Sequence, residues 1–389
     1  VISDEWLKLK LRLLSLIAMI MVVFVHAYTF DLNGYAGAMA MHKNYNSFFQ
    51  DFISQGVARV ASPLFFIISG FLLFARFKLT TAVITYKYRK RIQTMLIPFL
   101  LWSVYGIVLY FVLQLIPFLK PHFTHHIISD MSFRQWVITL FIEPIPYQLW
   151  FMRDLMMLVL LCPVVWLLVR YLKLLFLVPL LICWVLDLDF IIFTSGSLFF
   201  FAVGCYLAKL PESLNVKLTK IPFQIPLVNW LGMVLFRTQL NFINYPNTML
   251  LMLLHKLAIL VGIFAIWLTV SSYIDATGFD SRKWLTTSVS PFFIYTFHEP
   301  LLSFIKKGLL LFIPVQQQAT VLLVYLLAPI LTILLAILVS RVVRQYAPAL
   351  FHSLTGYRDL AKPLSVSVPV TGSKTHPQPQ VNALLNENV

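Results

Sequence analysis

From Leu16 to Val25 every residue is apolar, and comparably apolar stretches return along the chain until about residue 341. A hydrocarbon core about 30 Å thick takes about 20 helical residues to cross, so this pattern limits the chain to one broad class. With 60% hydrophobic and only 12% charged residues, too little polar surface remains to coat a soluble globule. The chain therefore reads as all-α and polytopic, embedded in a lipid bilayer. A window of about 19 residues places spans near 11–30, 57–75, 93–116, 148–169, 172–188, 190–208, 221–236, 248–270, 287–305 and 319–341, which makes about ten transmembrane helices. Two of them are irregular. The 221–236 segment is short and carries Pro222 and Pro226, and 172–188 runs into its successor through Asp187 and Asp189.

The net charge of +15 sits in short stretches between the apolar segments. It forms no continuous basic surface, which argues against a nucleic-acid partner and for a topology signal. With the N-terminus inside, 21 of the 30 Lys and Arg fall on the cytoplasmic side, as positive-inside asymmetry requires. Both N- and C-termini are then cytoplasmic. The first segment has the length of a span and no small-residue cleavage site after it, so it reads as a retained helix rather than a signal peptide. Residues 1–345 form the integral-membrane domain and 346–389 a cytoplasmic tail, disordered from about 361, where Lys-Pro, Val-Pro and His-Pro-Gln-Pro-Gln replace apolar periodicity. Cys162, Cys183 and Cys205 all lie in apolar segments and read as core residues. No metal-ligand spacing, Gly-rich phosphate loop or internal repeat is present.

Ionisable residues within these segments are costly and point to function. His26 lies 14 residues beyond Arg12, about 21 Å along a helix, in the outer half of the bilayer. Arg153 and Asp154 start the fourth segment at the same depth, and His298 and Glu299 end the ninth there. Arg59, ahead of Ser62-Pro63-Leu64-Phe65-Phe66, completes the group. Each residue has a structural reading when taken singly: a buried imidazole that only bonds, an ion pair between helices, or a helix end at Glu299 before Pro300. Their convergence on one side, from four segments, favours a shared outward-facing cavity.

The residues that carry this pattern resemble a known family. Val22-Val23-Phe24-Val25-His26-Ala27, Pro63-Leu64-Phe65-Phe66-Ile67-Ile68-Ser69-Gly70-Phe71, Leu149-Trp150-Phe151-Met152-Arg153-Asp154 and Phe292-Phe293-Ile294-Tyr295-Thr296-Phe297-His298-Glu299-Pro300-Leu301 are similar to motifs of the membrane-bound acyltransferase 3 family. The basic Tyr88-Arg89-Lys90-Arg91 run before Ile97-Pro98-Phe99 adds to the match. The resemblance implies a ten-helix enzyme of the bacterial inner membrane. Such an enzyme moves an acyl group, commonly acetyl, from cytoplasmic acyl-CoA to a hydroxyl of an extracytoplasmic carbohydrate or glycolipid. The family places an Arg eleven residues before the His of the first helix. Here that position is Ser15, and Arg12 stands about one turn deeper.

Acyl transfer to an alcohol needs a general base near the hydroxyl, a task suited to His, and His26 is the expected base. Glu299 or Asp154 would orient it, with His298 beside it, and Arg153 or Arg59 would stabilise charge on the thioester oxygen. The CoA phosphates need cations on the cytoplasmic side, where Arg12, Arg89, Lys90 and Arg91 are available. Acyl-CoA enters this scheme as a co-substrate, and no tightly bound cofactor is called for. A transporter would hold similar intramembrane charges but more typically shows repeats or paired interrupted helices. A catalytically inactive membrane sensor or assembly protein is the remaining alternative, left open by Ser15.

Overall fold

A computed structural model describes residues 4–28, 44–75, 77–120, 123, 127–210, 221–277, 290–312 and 318–357. The expected location of the two chain ends and the expected disorder from about 361 lie outside the described residues. Every regular element among those residues is helical, as expected. The helices are α1 (Asp4–Ala27), α2 (Tyr45–Phe74), α3 (Thr81–Gln114), α4 (Phe133–Phe141), α5 (Trp150–Leu160), α6 (Cys162–Tyr171), α7 (Leu174–Val185), α8 (Ser195–Leu207), α9 (Gln224–Phe242), α10 (Thr248–Thr277), α11 (Pro291–Phe312), α12 (Gln318–Tyr346) and α13 (Pro348–Thr355).

Each of the ten apolar segments is occupied by helix, but the count of ten spans is not met. Five helices among the described residues are long and apolar enough to cross a bilayer, and six if α5 and α6 together make one span bent by 66°. The reason is length and interruption. Helices α7 and α8 have 12 and 13 residues, about 18–20 Å, well short of the ~30 Å needed. Helix α9 is diluted by Gln224, Asn229, Arg237, Gln239 and Asn241, and α11 carries His298, Glu299, Lys306 and Lys307. The bend between α5 and α6 falls at Pro163, whose missing N–H leaves the carbonyl of Val159 without its helical donor.

Helix α1 packs against α2, α10, α11 and α12, which makes the His26 helix the hub of the domain. Its basic end is anchored internally. The Lys10 ammonium is fully buried, donates to the Ser271 hydroxyl and lies 3.3 Å from the Trp267 ring centroid, a cation–π contact strengthened by desolvation. Helices α2 and α8 cross at Gly70 and Gly204. A Cβ on Gly204 would stand 2.3 Å from the Ile67 carbonyl oxygen, and one on Gly70 would stand 2.3 Å from that of Phe201. Only paired glycines let the two backbones approach so closely. Helix α13, just beyond the expected domain boundary, docks on α3: Phe351 is fully buried and the Trp102 indole donates to the Leu354 carbonyl at 3.1 Å.

Candidate active site

The site begins with an interrupted helix. Pro300 has no N–H to bond the carbonyl of Thr296, four residues back, and it disfavours helical geometry at the residue before it. Glu299 is accordingly extended, at φ −114 and ψ 137, in the middle of α11. The two backbone carbonyls released there are buried and need donors. Gln148 supplies them from another part of the chain, its Nε2 donating to Thr296 O at 3.1 Å and to Glu299 O at 2.9 Å. The Tyr295 hydroxyl answers by donating to the Gln148 carbonyl at 2.7 Å. These three bonds fix the turn before α5 against the break in α11.

That docking brings the side chains of Tyr147 and Glu299 to the end of α1. The Tyr147 hydroxyl lies 2.8 Å from His26 Nδ1 and 3.4 Å from Glu299 Oε1. The other carboxylate oxygen of Glu299 accepts from the Ser303 hydroxyl at 2.7 Å. The imidazoles of His26 and His298 face each other with ring centroids 5.2 Å apart, so the two histidines, distant in sequence, share one site. His298 Nδ1 lies 2.6 Å from the Tyr295 carbonyl. A carbonyl can only accept, so the proton is on Nδ1 and the lone pair on Nε2, an atom that is buried and has no partner among the described residues. Lys306 donates to the carbonyl of His26 at 3.1 Å, placing a cation at the C-terminal end of α1 where the helix has bare carbonyls. Tyr147 is about half exposed, at 48%, so the cluster has an open side.

The other expected residues are placed as follows. Arg59 is exposed, its Nε held by Gln55 Oε1 at 2.8 Å. Arg153 and Asp154 are adjacent in sequence and pair with each other at 3.1 Å. Neither makes a hydrogen bond to His26 among the described residues. Asp154, fully buried, accepts from the Thr194 N–H at 3.2 Å and the Ser197 hydroxyl at 3.1 Å at the start of α8, and Arg153 donates to the Ile142 carbonyl at 2.7 Å. Arg89 is exposed, while Arg12, Lys90 and Arg91 are half-buried. Ser15 bonds its own helix, donating to the Leu11 carbonyl at 2.8 Å.

Sequence reasoning missed Tyr147, Gln148, Ser303 and Lys306 as site residues. Tyr147 and Gln148 had a signal, since they immediately precede the Leu149–Asp154 motif. Lys306 had none beyond being one of the few cations expected away from the cytoplasmic side.

The fold and the cluster together define a class: a polytopic all-α membrane protein with two imidazoles, a phenol and a carboxylate gathered at the end of its central helix. The chain belongs to the acyltransferase domain family Acyl_transf_3, which it matches over residues 9–341, and it is a membrane-bound O-acyltransferase of the acyl-CoA-dependent class. It is also similar to the succinoglycan biosynthesis protein ExoH of Rhizobium meliloti (strain 1021). The two are 27% identical over 384 residues, covering 94% of this chain and 96% of that protein. The chain is thus a multi-pass membrane protein of bacterial origin. No solved structure matches it.

Proposed function

We propose that the protein transfers an acyl group, acetyl in the simplest case, from cytoplasmic acyl-CoA to a hydroxyl of an extracytoplasmic or membrane-linked carbohydrate, in the bacterial inner membrane. The relative's role in succinoglycan biosynthesis supports a glycan acceptor. The observation that carries the reading is the connected series His26–Tyr147–Glu299 beside His298.

In this reading His26 Nδ1–H donates to the Tyr147 oxygen, and the Tyr147 O–H donates to Glu299. The lone pair of His26 is then on Nε2, which makes no hydrogen bond among the described residues. The acceptor hydroxyl gives its proton to Nε2 as its oxygen attacks the thioester carbonyl carbon. The C–S bond breaks and the departing CoA sulfur takes the proton back from the imidazolium. A carboxylate acting through Tyr147 stabilises that imidazolium, the role a buried acid plays behind a catalytic histidine. Arg59 faces the negative charge that develops on the thioester oxygen. Arg153 and Asp154 act as positioning residues that tie α5 to α8. Arg12, Arg89, Lys90 and Arg91 receive the CoA phosphates on the cytoplasmic side, with both chain ends on that side.

The test is purified protein in proteoliposomes supplied with acetyl-CoA labelled in the acetyl group. Labelled glycan product, lost in His26→Ala, is the expected outcome; unchanged turnover in that variant would remove His26 from the mechanism. A membrane-impermeant thiol reagent added outside intact cells should leave a cysteine at position 90 unmodified.

A further inference from the structure

A pocket with a mostly apolar lining and a few polar groups opens beside the His26 end of α1, on residues the scheme above does not use. Its walls are two helix faces. Ser47, Phe48 and Asp51 stand on one turn at the start of α2, with Asp51 four and three residues from the other two, and Thr238, Asn241 and Phe242 stand on one turn near the end of α9 at the i, i+3, i+4 spacing that shares a face. Tyr28, two residues beyond His26, closes the remaining side. The pocket holds about 390 Å³ of empty space, part of it open to solvent. The cavity proper is about 110 Å³, below the roughly 300–1,000 Å³ typical of whole small-molecule sites, a size for one sugar ring at most and far too small for a whole CoA.

Two groups in this pocket have hydrogen-bonding capacity left over. The Thr238 hydroxyl belongs to a residue 1% exposed and has no partner among the described residues. Asp51 uses Oδ2 for the Arg237 guanidinium at 2.7 Å and the Asn241 amide at 3.4 Å, while its Oδ1 has no side-chain donor among the described residues. Buried polar atoms of folded proteins are nearly always bonded, so an orphaned hydroxyl beside a half-used carboxylate marks a place for a ligand's hydroxyls. Arg237 cancels the charge of Asp51, which favours a neutral ligand over a cation or an anion. The side chains of Tyr28, Phe48 and Phe242 line the same pocket and give it apolar surface for the C–H side of a pyranose. The pocket is also tied to the chemistry: the Ser54 hydroxyl, on the turn after Asp51, donates to the carbonyl of Phe24, two residues before His26.

We infer that this pocket is the subsite for a neutral hexose unit of the acceptor, with Asp51 and Thr238 as its specificity-determining residues. The inference rests on the transferase reading for its purpose, though not for its geometry.

The experiment measures affinity by saturation-transfer NMR on full-length protein in nanodiscs, with methyl β-D-glucopyranoside as the neutral probe and glucosamine and glucuronate as charged ones. Thr238→Val preserves shape and removes the hydroxyl, whereas Asp51→Asn also weakens the ion pair with Arg237, so the Thr238 variant decides. The expected result is preference for the neutral probe and a loss of its affinity of roughly tenfold in Thr238→Val, the size of one buried hydrogen bond. Unchanged affinity in Thr238→Val, or tighter binding of either charged probe, overturns the assignment. Turnover of labelled acetyl-CoA by the unaltered protein is read separately. If turnover is absent while the Thr238-dependent binding persists, the pocket stands and the transferase reading falls. If turnover is present while the variants leave affinity unmoved, the transferase reading stands and the pocket falls.

Discussion

Replacing Tyr147 with Phe removes one oxygen and leaves the ring, which meets His26 edge-on with centroids 5.0 Å apart. Two hydrogen bonds disappear together, at 2.8 Å to His26 and 3.4 Å to Glu299. The first matters most when His26 carries the acceptor's proton, because a bond to a charged partner is worth about 1.5–3 kcal/mol. At 1.36 kcal/mol per decade of rate, Tyr147→Phe should lower kcat by roughly 10- to 150-fold. The KM for acetyl-CoA should hold steady, since the cations assigned to the donor lie on other parts of the chain. The assay is initial-rate turnover in proteoliposomes over a range of acetyl-CoA concentrations, with the melting temperature of each variant checked first. Glu299→Gln and the double variant complete a cycle: if the carboxylate acts through the phenol, the second substitution adds little to the first. A kcat within twofold of the unaltered protein, or full additivity of the two substitutions, would refute the relay.

Four further outcomes are expected. His26→Ala should abolish transfer, a loss of about 10²- to 10⁴-fold for a positioned base, while Arg12→Ala should raise the KM for acetyl-CoA with little change in kcat; both are read in the same vesicle assay. Gln148→Leu orphans two buried carbonyls, at about 1–3 kcal/mol each, and should lower the thermal midpoint measured by intrinsic fluorescence, even with His26 and His298 intact. Gly204→Val forces a side chain onto the Ile67 carbonyl and the Phe71 N–H, which cannot yield as a flexible side chain would, so the monodisperse peak in detergent size-exclusion should shrink or vanish.

The positions of the helices were legible because apolar windows report burial directly, and Pro300 announced the break at Glu299 through its missing N–H. The number of spans was not. A window of 19 residues cannot see that α7 and α8 stop after 12 and 13 residues, nor that Pro163 bends one apolar stretch into two helices. The pairing of His26 with His298 was expected from depth alone, and the structure brings the two rings together. Tyr147 and Lys306 escaped for a different reason. A tyrosine at a helix entrance and a lysine pair near a helix end both read as interface residues, and their partners are 121 and 280 residues away. Arg153 and Asp154 showed the converse. A carboxylate at the right depth looked like a partner for His26, and its bonds go instead to Thr194 and Ser197.

The grip of Gln148 on the broken backbone of α11 has a consequence for how the protein is made. His26 is in α1 and leaves the ribosome long before α11, with which the residues that complete its surroundings, His298, Glu299, Ser303 and Lys306, all arrive. Every growing chain that stops short of Pro291 therefore holds the histidine without its companions, and the Tyr147–Gln148 turn has nothing to clasp. Co-expressed halves divided between α8 and α9 would have to re-form that clasp together with the packing of α1 on α10, α11 and α12, so comparing reconstitution with and without Gln148→Leu would read the clasp's own share.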